Sequence, residues 1–316
     1  MPQEEEIKSL QALNVVVFPG GFNLPLWAAE QQGFFERNGV RVVLTPTPSS
    51  AFQLQGLAEG RFDIAMTAID NVVAYQEGQG EAAIPDHPDL FAFMGADNGF
   101  LSLVGGRGAK SVAELKGRTL SVDAMTTGYA FVLRELLAKH GIAESEVTFE
   151  RAGGALGRFE ALLKGAHAGT MLITPFDLLA MDKGHVRLAR AADELGAYQG
   201  VVAAARRPWA RQNEASVVGY VRGWRAGVRF LYEPANRELA EALLVANVPA
   251  MTPQLARQSL QVLLDGRSGF FRDPAVDMDG LATVLALRSK YGEPRKLLSD
   301  PAKYVDHAYV KKAEER

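Results

Sequence analysis

The sequence predicts an α/β protein of two lobes, each built on a mostly parallel sheet. The chain has 316 residues, which is too long for one simple core and suits two α/β lobes. Short β-branched runs alternate with segments of helical spacing, the pattern of β-α-β units. This alternation begins again after about residue 107. The restart predicts a second lobe.

The amino-terminal third shows the alternation most clearly. Gly39 directly follows a helical pattern, as a helix C-cap does, and Ser49 and Ser50 precede another one, as N-caps do. Strands joined through helices favour a parallel sheet with right-handed crossovers. The predicted strands are residues 14–18, 40–44 and 64–66, and the predicted helices are residues 24–38, 51–60 and a segment after the polar loop 67–71.

The middle of the chain repeats this organisation. Ser111 and Glu114 have the spacing of a capping box, which predicts a short helix. Gly60 precedes Met66 by six residues, and Gly165 precedes Met171 by six residues, each within a helix–glycine–strand–loop–helix unit. This faint repeat favours two similar lobes. The predicted strands are two stretches within 90–104 broken at 97–99, then 119–123, 147–150 and 170–173, and the predicted helices are 129–140 and 157–164.

The carboxy-terminal third predicts a helical tail that packs on a lobe. Pro234, Pro249 and Gly292 separate four segments of helical spacing with little strand propensity. The predicted helices are residues 215–232, 237–247, 253–264 and 277–291.

Composition excludes several classes of function. The chain has no cysteine, which removes disulfides, thiolate metal sites and cysteine nucleophiles. Its formal net charge of -3 gives no basic surface for nucleic acid. No apolar run reaches the roughly 18–20 residues of a membrane span. Residues 1–13 lack the pattern of a signal peptide, which leaves a removed secretion signal and a cytoplasmic protein as open alternatives.

The sequence carries no recognisable catalytic constellation. The histidines are scattered and form no metal-binding spacing, and no G-x-S-x-G elbow is present. The glycine-rich stretch 105–111 fails the phosphate-loop pattern, because Val104 and Ala109 stand where glycines are required. We therefore expect no catalytic residue, no metal and no cofactor. The five histidines are His87, His140, His167, His185 and His307.

Small polar loops at the carboxyl ends of the predicted strands are the candidate ligand site. In open α/β sheets these loops line the ligand crevice, and helix N-termini there offer free N–H groups. The serines and threonines act either as helix caps or as ligand donors. Asp70, Asp97 and Asp177 also lie in these loops. Each carboxylate is either a partner for an amine or hydroxyl of the ligand, or a solvated or capping residue.

Four stretches in order resemble one family, and together they cover about residues 14–205. They are residues 25–39, 55–70, 111–123 and 158–180. The ordered set resembles the type II periplasmic substrate-binding proteins of ABC transporters that serve nitrate, sulfonate, taurine and thiamine precursors, including the thiamine-pyrimidine-synthase-like branch.

The resemblance implies a type II periplasmic-binding-protein fold with a crossover hinge and a helical C-terminus. Residues 1–104 and 206–316 would form lobe one, and residues 105–205 would form lobe two. The family's ligand contacts map onto the strand-end loops. The implied ligand-binding residues are Phe22, Asn23, Ser50, Thr67, Ala68, Asp70, Asn98, Thr126, Thr127, Gly128, Pro175, Phe176 and Asp177.

The resemblance also implies a function. The protein would be a monomer that closes around a small organic solute and delivers it to the membrane permease of an ABC importer. It would be periplasmic or lipid-anchored at the cell envelope. The solute would be sulfonate, aromatic or pyrimidine-like. The candidate loops hold no arginine or lysine, although Arg158 lies on a nearby predicted helix, so we favour a neutral or weakly charged solute.

Two other classes of function share this fold. One is a cytoplasmic enzyme resembling fungal thiamine-pyrimidine synthases or menaquinone-pathway lyases; the fungal enzymes carry a cysteine-rich motif that this chain lacks. The other is a module that senses a ligand and signals to a partner without transport.

Overall fold

The computed structural model describes residues 10–84 and 88–315. The expectations for residues 1–9 and for His87 lie outside the described residues. The strands are β1 (Gln11–Val17), β2 (Val40–Pro46), β3 (Ile64–Ala68), β4 (Leu90–Gly95), β5 (Leu101–Gly105), β6 (Thr119–Val122), β7 (Thr148–Arg151), β8 (Gly169–Ile173), β9 (Val186–Arg190) and β10 (Val201–Arg206). The helices are α1 (Leu24–Gln31), α2 (Ser50–Ala58), α3 (Ile69–Gln76), α4 (Gly128–Lys139), α5 (Ala155–Leu163), α6 (Phe176–Asp182), α7 (Ala191–Leu195), α8 (Arg207–Gln212), α9 (Glu214–Tyr232), α10 (Arg237–Asn247), α11 (Pro253–Leu263), α12 (Met278–Tyr291) and α13 (Ala308–Glu314).

The strands form two five-stranded sheets with the same spatial plan. The first has the order β2-β1-β3-β10-β4, and the second has the order β7-β6-β8-β5-β9. In each sheet the first three strands are parallel, and the fourth runs antiparallel to both its neighbours. The predicted α/β fold of two lobes is confirmed.

The internal repeat coincides with the matching positions of the two sheets. Met66 lies on β3 and pairs with Ala203 of β10. Met171 lies on β8 and pairs with Leu103 of β5. The short sequence repeat therefore marks the third strand of each sheet, next to the strand that arrives from the other lobe.

The chain crosses between the sheets twice, and the strands β5 and β10 lie next to these crossings. β5 belongs to the second sheet although residues 101–104 were expected in lobe one, and β10 belongs to the first sheet although residues 201–205 were expected in lobe two. The reason is that β5 follows the first crossing and pairs within the second sheet, whereas β10 follows the second crossing and pairs within the first sheet. We propose that the limits between the lobes lie at the crossings, residues 96–100 and 196–200, because α7 still packs on β5 and β9 of the second sheet.

Two local predictions differ from the structure. The helix expected over 24–38 ends at Gln31, and a 3-10 turn follows before Gly39, whose φ of 81° gives the expected left-handed end. The capping box at Ser111 is wrong, since the Ser111 side chain makes no cap hydrogen bond. Instead, Glu114 Oε2 accepts a hydrogen bond from the Lys110 N–H at 2.9 Å, one residue earlier.

The helical C-terminus packs mainly on the elements around the first sheet. α9 lies against α1 and α13, and its Tyr220 and Trp224 are fully buried. α12 contacts both α3 of the first lobe and α4 of the second. In the part of the chain that the structure describes, no helix has the length and apolarity needed to cross a membrane.

The two crossings approach each other most closely at Gly99 and Gly200. A methyl group added at Gly200 should therefore strongly lower the free energy of unfolding. A Cβ at Gly200 would lie 2.0 Å from the Gly99 nitrogen, whereas a Cβ at Gly141 would meet no atom within 4 Å. Gly141→Ala, at a φ of 75°, is expected to cost about 1–2 kcal/mol of unfolding free energy. Gly200→Ala should cost more in urea denaturation. An equal or smaller loss would show that the crossings do not depend on this contact.

Candidate functional site

A cleft between the two sheets is the candidate site. It lies where the carboxyl ends of β1, β3, β6 and β8 meet the amino-terminal ends of α3, α4 and α5, and it encloses about 510 Å³, including the part open to solvent. This placement matches the general rule for open α/β sheets. The lining residues are Phe18, Phe22, Met66, Thr67, Ala68, Asn71, Asp123, Thr127, Gly128, Tyr129, Gly154, Ala155, Arg158, Ile173 and Val201.

Apolar and aromatic side chains form most of the walls. Phe18 and Phe22 face the cleft from the first lobe, and Tyr129 and Ile173 face it from the second. Burial raises the pKa of Tyr129 far above its ordinary value, so the phenol is neutral. Aromatic rings of this kind offer flat apolar contact to a ligand.

Arg158 supplies the positive charge of the cleft. It is buried on α5, where Nε donates to the Met171 carbonyl at 3.2 Å and Nη1 donates to the Gly153 carbonyl at 2.8 Å. Burial lowers the pKa of this guanidinium, and nearby Asp123 opposes that effect. Two carbonyls thus fix the plane of the group, while Nη2 has no hydrogen-bond partner among the described residues.

Asp123 supplies the opposite charge, directly after β6. Its Oδ2 accepts the backbone N–H of Ser50 from the first lobe at 3.2 Å. Its Oδ1 is buried and has no partner within the described parts of the chain. A buried acceptor without a donor is costly. The geometry therefore leaves an acceptor that a donor from a bound solute would satisfy.

The other polar groups of the cleft are partly engaged within the protein. Asn71 Nδ2 donates to Thr67 Oγ1 at 2.9 Å, and the Thr127 hydroxyl donates to the Ala124 carbonyl at 3.1 Å. Gly128 and Ala155 begin α4 and α5. The first turns of these helices carry backbone N–H groups without helical partners, which favour electronegative atoms.

Five of the thirteen residues expected to bind ligand line the cleft. They are Phe22, Thr67, Ala68, Thr127 and Gly128. The other eight lie outside its lining. They are Asn23, Ser50, Asp70, Asn98, Thr126, Pro175, Phe176 and Asp177.

The two expected carboxylates have protein partners. Both oxygens of Asp70 accept hydrogen bonds from Arg288, at 2.7 and 2.5 Å. Asp177 Oδ2 accepts from the Ser102 hydroxyl at 2.9 Å and from Arg187 at 2.7 Å. Arginines from other elements neutralise both carboxylates, so neither is presented to the cleft.

The remaining polar residues are also engaged elsewhere. Asn23 Nδ2 donates to the Phe18 carbonyl at 2.7 Å, and Thr126 Oγ1 donates to Glu81 at 3.1 Å. Asn98 accepts the Phe100 N–H at 3.2 Å within the first crossing. Ser50 contributes its backbone N–H to Asp123 rather than a hydroxyl to the cleft.

Pro175 and Phe176 serve packing rather than lining. A Cβ at Gly21 would lie 2.8 Å from Pro175 Cδ, so this proline closes directly over the first lobe. Phe176 packs on Phe159 with ring centres 5.4 Å apart.

Sequence reasoning missed Asp123 and Tyr129 as lining residues. The sequence predicts Asp123 as the last residue of the strand 119–123, whereas β6 ends at Val122 and leaves Asp123 in the loop that faces the cleft. The sequence predicts Asn71 in a polar loop, whereas it lies on the first turn of α3. It predicts Phe18 as the end of a strand. Arg158 is predicted only as a neighbour of the site, because a helical position does not reveal where a long side chain ends.

A second, more open depression of about 950 Å³, including the part open to solvent, lies beside the first crossing, and its lining includes Asn98 and Asp177. It also contains Arg187, Arg190 and Asp265, so charges of both signs face each other there. No group of three histidine or acidic side chains suited to a metal ion occurs within residues 10–84 and 88–315.

The two crossings are joined by Asp97, which is fully buried. Its Oδ1 accepts the N–H groups of Gly99 in the first crossing, at 2.7 Å, and of Val201 directly after the second crossing, at 3.1 Å. Its backbone carbonyl accepts the N–H of Gly200 at 3.0 Å and Nε2 of Gln199 at 3.0 Å. Burial raises the pKa of this carboxyl to about 7, although the two N–H donors oppose the shift.

A family model described as NMT1/THI5 like matches residues 23–237, which is more than half of the chain. The chain belongs to the NMT1/THI5-like family. No curated protein matches the sequence of this NMT1/THI5-like protein.

Solved structures share its fold. The ligand-binding component of an ABC-type import system from Staphylococcus aureus, solved with zinc bound, superimposes with a TM-score of 0.76 at 14% identity, covering 97% of this chain and 100% of that one. The periplasmic nitrate-binding protein NrtA from Synechocystis PCC 6803 superimposes with a TM-score of 0.78 at 11% sequence identity, and the match covers 96% of this chain and 88% of that one. The alkanesulfonate-binding protein SsuA from Xanthomonas axonopodis pv. citri, bound to MOPS, superimposes with a TM-score of 0.71 at 17% sequence identity, and the match covers 96% of this chain and 97% of that one. At these identities the likeness shows the periplasmic-binding-protein fold.

The buried Asp97 predicts a pH dependence of stability. Because its pKa is raised in the folded state, the folded protein binds more protons than the unfolded chain between about pH 4 and pH 7. Its contribution to stability is therefore lost as the pH rises through that window, with a slope of at most about 1.4 kcal/mol per pH unit. Asp97→Asn should remove this slope.

The measurement is the free energy of unfolding in urea at pH 4.5, 6 and 8. Relative to the wild type, Asp97→Asn should gain stability progressively as the pH rises. Asp182→Asn, at an exposed position in the second lobe, is the control and should follow the wild-type curve. A constant offset between Asp97→Asn and the wild type would contradict the assignment.

Proposed function

We propose that this NMT1/THI5-like protein binds a small organic solute between its two lobes and delivers it to the permease of an ABC importer. The reason is the chemistry of the cleft. The cleft between the sheets holds a fixed guanidinium, Arg158, and a buried carboxylate oxygen of Asp123 that has no partner among the described residues. The Staphylococcus aureus structure with the same fold is the ligand-binding component of an import system, which supports this role.

The proposed place of action is outside the cytoplasmic membrane. The nitrate-binding protein with the same fold is periplasmic, and a periplasmic component must hand its solute to a membrane permease. In the proposed cycle the solute stabilises the closed lobes through contacts that it makes only there. The permease then recognises the closed surface.

The chemistry of the cleft favours a neutral or weakly charged solute with an aromatic face. Phe18, Phe22 and Tyr129 offer flat apolar contact. The unpartnered Asp123 oxygen would accept a hydrogen bond from an N–H or O–H group of the solute, and Arg158 would donate one to an acceptor atom of the solute. A sulfonate or nitrate would place its negative charge near the Asp123 carboxylate. Aromatic and pyrimidine-like solutes with both a donor and an acceptor therefore fit better.

Binding without chemical conversion is the proposed role. Two titratable side chains of the cleft, Tyr129 and Arg158, are unsuited to proton transfer. Catalysis by proton transfer works best with a group whose pKa lies near the working pH. The raised pKa of Tyr129 is far from that range, and the guanidinium of an arginine stays protonated.

A thermal-shift screen tests the function. The panel contains pyrimidines, aromatic carboxylates, amines and sulfonates. A solute at a hundredfold excess over its dissociation constant should stabilise the native state by about 2.7 kcal/mol, and mass spectrometry should recover it unchanged. No stabilising compound from any class, or a compound that is chemically consumed, would refute the proposal.

Substitution of Asp123 tests the solute chemistry. Asp123→Asn should weaken binding of a donor-bearing solute by roughly tenfold to a hundredfold, because a hydrogen bond to a charged group contributes about 1.5–3 kcal/mol. Calorimetric titration measures the dissociation constant. Asp182→Asn serves again as control and should bind like the wild type. Unchanged affinity in Asp123→Asn would exclude Asp123 as a solute contact.

A further inference from the structure

We propose that Arg288 is a positioning residue for solute binding, which holds the first turn of α4 against α3 and so fixes the closed arrangement of the lobes. The expected effect of Arg288 on solute affinity rests on the proposed function. Its effect on the arrangement of the lobes can be measured without any solute.

Arg288 is fully buried and anchored in the first lobe. Its Nε donates to Asp70 Oδ1 at 2.7 Å, and its Nη2 donates to Asp70 Oδ2 at 2.5 Å. Its Nη1 donates to Gln79 Oε1 at 3.2 Å. These bonds tie the end of α12 to α3 and orient the guanidinium plane, because a bidentate pair fixes both distance and angle.

The same side chain also reaches the second lobe. Nη2 donates to the Thr126 carbonyl at 2.6 Å, and the guanidinium carbon lies 4.8 Å from the centre of the Phe131 ring on α4. Thr126 directly precedes Thr127 and Gly128, which line the cleft. One buried arginine thus contacts both lobes at the point where α4 begins.

The fit at this point leaves no room for another atom. A Cβ at Gly128 would lie 2.5 Å from both Cβ and Cγ of Asp70. Asp70 cannot turn away without breaking its pair with Arg288. Gly128 is therefore required by contact between the lobes rather than by its own helix, where alanine has the higher propensity.

Two further residues of α12 contact α4 at its surface. Lys290 Nζ and the Tyr291 hydroxyl both bind Glu135 Oε2, at 2.6 and 2.7 Å. Lys290 is half exposed, so water and salt weaken its pair. Arg288 is shielded from both, so its contacts with Thr126 and Phe131 dominate the junction.

The arrangement links an arginine outside the cleft to solute affinity. The apparent affinity of a protein falls in proportion to the fraction of molecules in the binding-competent state. If Arg288 holds the first turn of α4 in place, its loss lowers that fraction and weakens binding of every solute alike, with no loss of a solute contact.

Gly128→Ala and Arg288→Met test the proposal by small-angle X-ray scattering without added solute. A compact chain of this length has a radius of gyration of about 20 Å. Both variants should show a larger radius than the wild type, with circular dichroism unchanged. Gly128→Ala decides the question if Arg288→Met does not fold, since the added methyl favours α4 itself.

Arg207→Met is the matched control. Arg207 stacks on Phe91 at 4.4 Å and binds Asp89 at 3.2 Å and the Lys303 carbonyl at 3.4 Å. These partners all belong to the first sheet and the segments beside it. Arg207→Met should lower stability but keep the wild-type radius.

The outcomes separate this proposal from the proposed function. Wild-type radii in folded Gly128→Ala and Arg288→Met would overturn the role of Arg288, whatever the wild type binds. Failure of the wild type to bind any solute would instead remove the proposed function. With a solute in hand, Arg288→Met should raise the dissociation constant at least tenfold for all solutes, whereas Asp123→Asn should act selectively on donor-bearing ones.

Discussion

The arrangement of the two lobes depends on the contact between the two crossings. Asp97 of the first crossing holds this contact together. The chain leaves the first sheet after β4 and returns to it with β10, so two segments must run side by side. Gly99 and Gly200 let their backbones meet, and Asp97 binds N–H groups from both segments. Any change in the angle between the lobes must therefore be accommodated at this junction.

The cleft follows from this arrangement, because strand ends from both sheets are brought to face each other. Its two charged groups are held by backbone rather than by each other: carbonyls hold Arg158, and the N–H of Ser50 holds Asp123. Groups fixed in this way need little reorganisation when a ligand arrives, and that preserves affinity. At the cleft's edge, Arg288 connects α3 with the first turn of α4.

Local patterns in the sequence predicted most of the fold. The β-α alternation, the break at 97–99 and the four long carboxy-terminal helices all depend on spacing within one segment. Position next to a strand also found Thr67 and Gly128 in the cleft. The partner of Asp70 was beyond such reasoning, because Arg288 lies 218 residues away. Whether a carboxylate is free for a ligand depends on contacts between elements, which spacing along the chain does not contain.

A crystal structure of the protein with a solute from the binding screen is the decisive measurement. The solute should lie between the two sheets, stacked on Phe18 or Phe22. Its donor should lie within hydrogen-bond distance of Asp123 Oδ1 and its acceptor within the same reach of Arg158. A solute that contacts only one lobe, or that occupies the cavity beside Asp177 and Arg187, would show that the cleft between the sheets is not the binding site.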